Sequence, residues 1–107
     1  MDNQHRQIAG YRELSQDEID LMNAIKAKGV ELLELHNKVR HQLALTRMRH
    51  TASVNNAPAV DPAAEAARTE MHRMDAAEPE RWLSIGRTDI ERGIMALVRA
   101  IAQPAPL

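Results

Sequence analysis

The sequence of 107 residues has no cysteine, no phenylalanine, and only one tryptophan and one tyrosine. Without cysteine, a disulfide scaffold, a thiolate zinc site and thiol catalysis are excluded. No stretch of about 18 apolar residues occurs, and the N-terminus lacks the apolar run of a signal peptide. We therefore expect a soluble protein of the cytoplasm that does not bind a membrane.

A surplus of charge of one sign is also missing, because 14 basic and 15 acidic side chains leave a formal net charge of -1. This balance argues against a generally basic nucleic-acid binder. Bulky side chains are few, since much of the 44% apolar content is alanine and six residues are methionine. A single domain of this size (1–107) buries only about two-thirds of its unfolded surface, so we expect self-association.

The first half of the chain predicts an arm followed by a long helix. Residues 1–14 are polar and show neither a helical nor a strand period. Ser15 and Glu18 then form a capping box, and apolar residues recur at steps of three and four. We predict one long helix over residues 15–50, in which Gly29 marks a close approach by another backbone.

The second half predicts return helices. Residues 51–61 contain asparagine and proline without periodicity, which is typical of a loop. An Asp-Pro pair opens the helical region 62–103, in which Pro79 either kinks a continuing helix or starts a new one. Gly86 and Gly93 lie seven residues apart on one face, which allows a neighbouring helix to approach closely.

Together these elements predict an all-α fold with an arm, one long helix, a loop and a kinked or broken return helix. The sequence has no strand signal and no internal repeat. A hairpin of this kind has only one apolar groove and normally completes its bundle with other copies. We therefore expect a homo-oligomeric helical bundle.

No pattern of catalytic residues is present in the sequence. No two of the five histidines are three or four residues apart, the spacing at which one helix turn presents two metal ligands. A phosphate loop and a nucleophile elbow are also absent. His36, in the apolar seam, is expected to be a core histidine satisfied by a neighbour. We predict that the protein is not an enzyme and uses neither a metal nor a cofactor.

Two side chains stand out as ligand contacts, each with an alternative. Lys26 falls on the edge of the apolar seam, where a lysine either snorkels past the core rim or meets an anion. Tyr11, in the polar arm, either caps the end of the bundle or offers a ring on which a base stacks, worth about 1–3 kcal/mol. The residues alone leave both alternatives open.

Basic residues form two further patterns. One side of the last helix carries a stripe whose members are Arg81, Thr88, Arg92 and Arg99. Such a stripe suits phosphate oxygens, although a solvated cationic face has the same pattern. A second patch, residues 36–50, holds four basic residues and no acid, which would allow contact with a nucleic-acid backbone or mark a solvated helix end.

Two long segments carry a resemblance to a known family. They are DNQHRQIAGYRELSQDEIDLMNAIK near the start and AAEPERWLSIGRTDIERGIMALVRAIAQP near the end. Both resemble the phage-encoded anti-CBASS cyclic-nucleotide sponges, small helical proteins that sequester the second messengers of bacterial antiphage signalling. The middle of the chain, residues 27–74, shows no matching pattern.

The resemblance implies a non-catalytic protein that binds cyclic dinucleotides tightly between two protomers of a compact homo-hexamer in the host cytoplasm. It also implies a separate pocket for cyclic trinucleotides at the junction of three protomers. The family's functional tyrosine, lysine and arginine fall on Tyr11, Lys26 and Arg81 of this sequence. Thr88 and Asp89, in the motif GRTD, are additional candidate contacts, and Arg99 of the stripe is a further one.

Two other functions compete with the sponge hypothesis. One is a structural or adaptor oligomer whose partner is another protein, which does not require Tyr11 and Lys26 to converge on one cavity. The other is a nucleic-acid binder that uses residues 36–50 and shows strongly salt-dependent affinity. The sponge hypothesis itself predicts no DNA partner.

Overall fold

The computed structural model describes residues 12–58 and 60–106. These residues form three helices, α1 (Gln16–Asn55), α2 (Pro62–Ala77) and α3 (Pro79–Ala102), and within them no strand occurs. The predicted all-α class is therefore confirmed.

The described residues form two compact units. Unit 1 contains the described residues up to Leu33 and those from Thr88 onward, whereas unit 2 spans Glu34–Arg87. Helix α2 lies wholly in unit 2, while α1 and α3 each contribute residues to both units.

The start of α1 has the predicted capping box. The Glu18 amide donates to Ser15 Oγ at 3.2 Å, and the Ser15 amide donates to Glu18 Oε1 at 3.0 Å. These two bonds satisfy amides that the first helical turn would leave without partners. The helix start at Gln16 is set by this local exchange.

The end of α1 differs from the prediction. We expected the loop to begin at residue 51, but α1 continues to Asn55. No proline precedes Pro58, and the Ser53 hydroxyl donates to the carbonyl of Arg49 at 3.0 Å, a bond that a helical serine can make without leaving the helix. Polar composition alone was therefore a poor sign of a helix end.

Helix α2 begins at Pro62, as predicted, but not for the predicted reason. Asp61 has the extended backbone of an N-cap, with φ -130° and ψ 122°, yet its carboxylate makes no capping hydrogen bond. Its carbonyl accepts the Glu65 amide at 3.0 Å and so begins the helical ladder. Proline at the first position loses nothing, because that amide would have no partner there.

Helix α2 ends at Ala77, and a single residue separates it from α3. Glu78 adopts the left-handed conformation, with φ 52° and ψ 52°, and its amide donates to the Met74 carbonyl at 3.0 Å. Pro79 then opens α3. Of the two alternatives for Pro79, a new helix is thus the observed one, because proline disfavours the right-handed helical conformation in the residue before it.

Buried residues are few among those described. In unit 2 they are Ala64, Ala67 and Met74 of α2, and in unit 1 only Gly29 of α1. A Cβ at Gly29 would lie 2.8 Å from Cγ1 of Ile94 and nearer still to its Cδ1. The predicted close approach at Gly29 is therefore real, but a side chain of α3 makes it rather than a backbone.

Candidate functional site

Lys26 lies on α1 in unit 1 with its side chain exposed to solvent. Within residues 12–58 and 60–106 it has no hydrogen-bond or ion-pair partner. The lysine of α1 that lines the apolar groove of unit 1 is Lys28, and its Nζ lies 3.4 Å from Oε2 of Glu31. The position of Lys26 at the edge of the seam, beside Met22 and Leu33, stays a prediction, although Lys26 does not line the groove that Lys28 lines.

Unit 1 contains an open apolar groove of about 460 Å³ between α1 and α3. Its lining from α1 is Leu21, Ala24, Ile25, Lys28, Gly29 and Leu32, and its lining from α3 is Asp89, Ile90, Gly93, Ile94 and Leu97. Leu32 is 47% exposed and Leu97 is 55% exposed. The groove therefore presents apolar surface that the described part of this unit does not cover.

Arg81 lies in unit 2, in the first turn of α3. Its guanidinium donates to Glu78 Oε2 at 3.1 Å, and its central carbon is 5.8 Å from the centre of the Trp82 ring, within cation–π range. The side chain of Arg81 is 63% exposed. An exposed pair of this kind contributes little to stability.

The other predicted site residues lie further along α3 in unit 1. Thr88, Asp89 and Arg99 are all exposed. Asp89 borders the apolar groove, whereas Arg99 borders a second, shallow groove beside Met95 and Val98. In the described part of unit 1 no hydrogen bond or ion pair joins any of the three to Lys26.

Tyr11 lies outside the described residues. The convergence of Tyr11 and Lys26 on one cavity thus stays a prediction. Lys26, Thr88, Asp89 and Arg99 belong to unit 1 and Arg81 belongs to unit 2.

The residue next to Tyr11 makes contacts that the sequence analysis missed. Arg12 donates to the Ile101 carbonyl through Nη2 at 2.6 Å, and its guanidinium forms a two-pronged ion pair with Glu18, with Nη1 3.3 Å from Oε1. The Arg12 hydrogen bond, together with the amide of Ser15, lowers the pKa of Glu18 from 4.5 to about 2. No local signal could indicate the contact with Ile101, which is 89 residues away.

A second polar cluster joins helices within unit 2. Arg47 of α1 donates through Nη1 to Asp75 at 2.6 Å and through Nε to Glu80 at 2.8 Å, and we call these three residues the Arg47 cluster. The bonds raise the pKa of Arg47, and the guanidinium lowers the pKa of Glu80. One of the four basic residues of the patch 36–50 is thus already neutralised within the chain.

His36 of the same patch also has an internal partner. Its Nε2–H donates to the Leu83 carbonyl at 3.0 Å, and the side chain is half-buried. The predicted neighbour of His36 is thus confirmed, but the predicted burial in a core is not, because the side chain is half-buried. With His36 and Arg47 engaged, the patch is less suited to a nucleic-acid backbone than its composition indicated.

The described residues contain neither a metal-binding cluster nor a membrane-spanning helix. No group of three or more His, Cys, Asp or Glu side chains is placed to hold a metal ion there. Among the same residues, no helix is long and apolar enough to cross a membrane.

Comparisons with known proteins found a matching family profile and a similar curated protein. The profile of the family described as Acb2/Tad1, hairpin domain, matches residues 3–102. A curated relative, Anti-CBASS protein 2 of Pseudomonas phage JBD67, is 52% identical over 106 residues, which cover 97% of this chain and 97% of the relative. The match includes the middle of the chain, where the sequence analysis found no resemblance.

Proposed function

Because the chain belongs to the Acb2/Tad1 hairpin-domain family, we propose that it counteracts CBASS, the bacterial antiphage signalling system, in the cytoplasm of the host. It does so by binding cyclic dinucleotide messengers without cleaving them. The name of the phage JBD67 relative supports the biological role. The sequestration mechanism rests on the resemblance and on the residues considered below.

The observation that carries the proposal is the free ammonium group of Lys26. It is an exposed cation on α1 without a partner in the described residues, at the position where the resemblance expects a functional lysine. A charge-assisted bond from lysine to a phosphate oxygen is among the stronger hydrogen bonds in proteins. Lys26 is therefore assigned to the phosphates, and Tyr11 is assigned to stacking on the bases.

A cyclic dinucleotide has two bases and two phosphates related by an approximate two-fold axis. An isologous dimer that contributes one tyrosine and one lysine per subunit matches these groups one for one. The open apolar groove of unit 1 favours self-association, because monomeric proteins rarely leave a large contiguous apolar surface uncovered. We propose that the binding pocket forms between protomers of a homo-oligomer, with a hexamer as the expected size.

Other predicted residues have secondary roles in this proposal. Arg81 adds a second cation for the phosphates, released from its exposed pair with Glu78. Thr88, Asp89 and Arg99 supply peripheral contacts from α3. A second pocket, for cyclic trinucleotides, is expected at the junction of three protomers.

The test compares two lysines of α1. Lys26→Ala should weaken binding of a cyclic dinucleotide by a factor of about a hundred or more, because two copies of the residue meet each ligand. Lys38→Ala is the matched control, since Lys38 is also exposed and also lacks a partner among the described residues. Isothermal titration with cyclic di-AMP, cyclic di-GMP and cyclic GMP–AMP measures the affinity, and native mass spectrometry measures the subunit number.

Tyrosine variants separate stacking from hydrogen bonding. Tyr11→Ala should also cost a factor of about a hundred, whereas Tyr11→Phe should retain most of the affinity if the ring stacks. The ligand recovered from a denatured complex should be intact and cyclic. Wild-type affinity in both Lys26→Ala and Tyr11→Ala, or stoichiometric cleavage of the ligand, would disprove the proposal.

A further inference from the structure

We propose that Trp82 is a stacking platform for a base of the bound cyclic oligonucleotide, beside the phosphate that is assigned to Arg81. The inference rests on the proposed function and extends it to a residue outside the predicted site. Its basis is the exposure of the Trp82 ring, the cation next to that ring, and the contacts that hold the backbone beneath both side chains.

The ring of Trp82 is exposed although tryptophan is highly buried on average in proteins. It is the only tryptophan of the sequence, lies in the first turn of α3, and is 60% exposed. Stacking on an aromatic ring suits every nucleobase, because every base has a flat π-face. An exposed indole ring in a protein that is assigned a nucleotide ligand is therefore a candidate surface for a base.

The cation beside the ring suits the neighbouring phosphate of the same nucleotide. The central guanidinium carbon of Arg81 lies 5.8 Å from the centre of the Trp82 ring. Arg81 Nη1 donates to Glu78 Oε2 at 3.1 Å, so an anionic oxygen fits beside this guanidinium. A phosphate oxygen is an acceptor of the same kind. Ring and guanidinium together offer one partner for a base and one for its phosphate.

The backbone is held by α1 on both sides of these two side chains, and all of these contacts lie within unit 2. On one side, Glu80 accepts from Arg47 Nε at 2.8 Å and from Arg47 Nη2 at 3.0 Å. On the other side, the Leu83 carbonyl accepts from His36 Nε2 at 3.0 Å. A binding element that is fixed before the ligand arrives has a smaller ordering cost on binding.

The sole tryptophan makes a direct test possible, because tryptophan emission of the wild-type protein comes from Trp82. The ligands are cyclic di-AMP, cyclic di-GMP, cyclic GMP–AMP and cyclic tri-AMP. Without ligand, acrylamide should quench Trp82 nearly as well as it quenches free N-acetyltryptophanamide. A saturating ligand should reduce that quenching at least about twofold, because a stacked base covers the ring.

Variants of the full chain show whether the ring contributes to affinity. Trp82→Ala should weaken binding at least about tenfold, whereas Trp82→Phe, which keeps a ring, should stay within about threefold of the wild type. Met48→Ala is the matched control, because Met48 also belongs to unit 2 and is 66% exposed. It should bind as the wild type does. Equilibrium dialysis with labelled ligand measures the affinity, and sedimentation should show one subunit number for all three variants.

The results separate a stacked base from a contact between subunits. Protection from acrylamide by the dinucleotides or by the trinucleotide supports the inference and identifies the ligand whose base stacks. Strong protection already in the ligand-free protein, or a changed subunit number in Trp82→Ala, would show that another subunit covers the ring and would overturn the inference.

The affinities separate this inference from the proposed function. Wild-type affinity in Trp82→Ala would overturn the stacking role and leave the proposed function intact. Equal losses in Trp82→Ala and Trp82→Phe, or in Trp82→Ala and Met48→Ala, would do the same. Failure of the wild-type protein to bind any of the four ligands would overturn both.

Discussion

The two units of the molecule are held together in different ways. Unit 2 contains the buried side chains of α2 and the Arg47 cluster, so its helices are joined by contacts within the chain. Unit 1 has Gly29 as its only buried described residue and leaves an apolar groove open. Both units leave large apolar side chains exposed, so the difference is that unit 2 has a small core and a polar cluster of its own, whereas unit 1 has the open groove.

Most of the proposed ligand residues that the structure describes lie in the unit that has the open groove. Lys26, Thr88, Asp89 and Arg99 belong to unit 1, which also has the open groove, whereas Arg81 belongs to unit 2. A pocket that forms only between subunits requires that the element carrying its ligand residues also carry subunit contacts. The comparison therefore predicts that substitutions in the groove of unit 1 affect both assembly and binding, whereas substitutions in unit 2 other than those of Arg81 and Trp82 affect mainly stability.

The largest expected effect is the loss of assembly when a charge enters the groove. Leu32→Asp places a carboxylate among apolar groups, and burying an unpaired carboxylate costs several kcal/mol. Association should weaken at least about a hundredfold, and the change is measured by sedimentation velocity at micromolar concentration. The matched control is Val60→Asp, because Val60 is 94% exposed in the loop before α2.

The sedimentation of Leu32→Asp and Val60→Asp shows whether the groove of unit 1 forms a contact between subunits. Val60→Asp should sediment as the wild-type protein does. If Leu32→Asp also keeps the wild-type subunit number, the groove of unit 1 does not mediate assembly, and the contrast between the units has no functional meaning.

The next largest effect is a change in the free energy of unfolding when a glycine is replaced by alanine in each of the two units. Gly29→Ala in unit 1 forces a Cβ against Ile94 Cγ1, an atom on the branched stem that can move only if χ1 rotates. It should lower the free energy of unfolding by about 1–3 kcal/mol. Gly86→Ala in unit 2 meets no atom of another described element within 4 Å and should raise that free energy by about 0.5–1 kcal/mol.

Urea denaturation measures both glycine variants under the same conditions. Removing the branched side chain in Ile94→Ala should make a further Gly29→Ala substitution less costly. Equal destabilisation by Gly29→Ala and Gly86→Ala would contradict the contrast and would indicate that Gly86 also faces a neighbour, in another subunit.

The features that the sequence predicted are those with local causes. Ser15 and Glu18 exchange hydrogen bonds across one turn, and Pro79 acts on the residue before it, so short windows of sequence contain the whole cause. The end of α1 was misplaced because polar residues up to Asn55 are compatible with a helix when proline and glycine are absent.

The features that the sequence did not predict depend on which turns of distant helices meet. Arg47 contacts Glu80 across 33 residues, and no spacing rule relates them. The same holds for Arg12 and the Ile101 carbonyl. For the candidate site, the helical periodicity and the resemblance both indicated Lys26, but only the fold shows that Lys28 is the lysine that borders the groove.

A smaller effect is expected from the Arg47 cluster of unit 2. Arg47→Ala removes a side chain that is only 26% exposed and leaves two carboxylates without their shared partner. Arg73→Ala removes an arginine that is 62% exposed and whose ion-pair partner among the described residues is Glu70 of its own helix. Arg47→Ala should therefore lower the Tm more than Arg73→Ala in thermal denaturation followed by circular dichroism. Both should leave the subunit number unchanged, and equal Tm values for the two variants would show that the cluster does not hold unit 2 together.

The smallest effect is a pH dependence that originates in unit 1. Glu18 has a folded-state pKa of about 2 against an ordinary value of 4.5, first because of the Arg12 hydrogen bond and second because of the Ser15 amide. Since the folded pKa is lowered, the contribution of the ionised Glu18 side chain to stability is complete above about pH 4.5 and is lost as the pH falls towards 2.

The difference between the Tm of the wild type and the Tm of Glu18→Gln should stay constant from neutral pH to about 5 and should then shrink as the pH falls. In the Arg12→Ala background the same difference should be smaller and should vary less with pH, because the main cause of the lowered pKa is gone. A difference that grows on acidification would show that the Arg12–Glu18 pair does not stabilise unit 1.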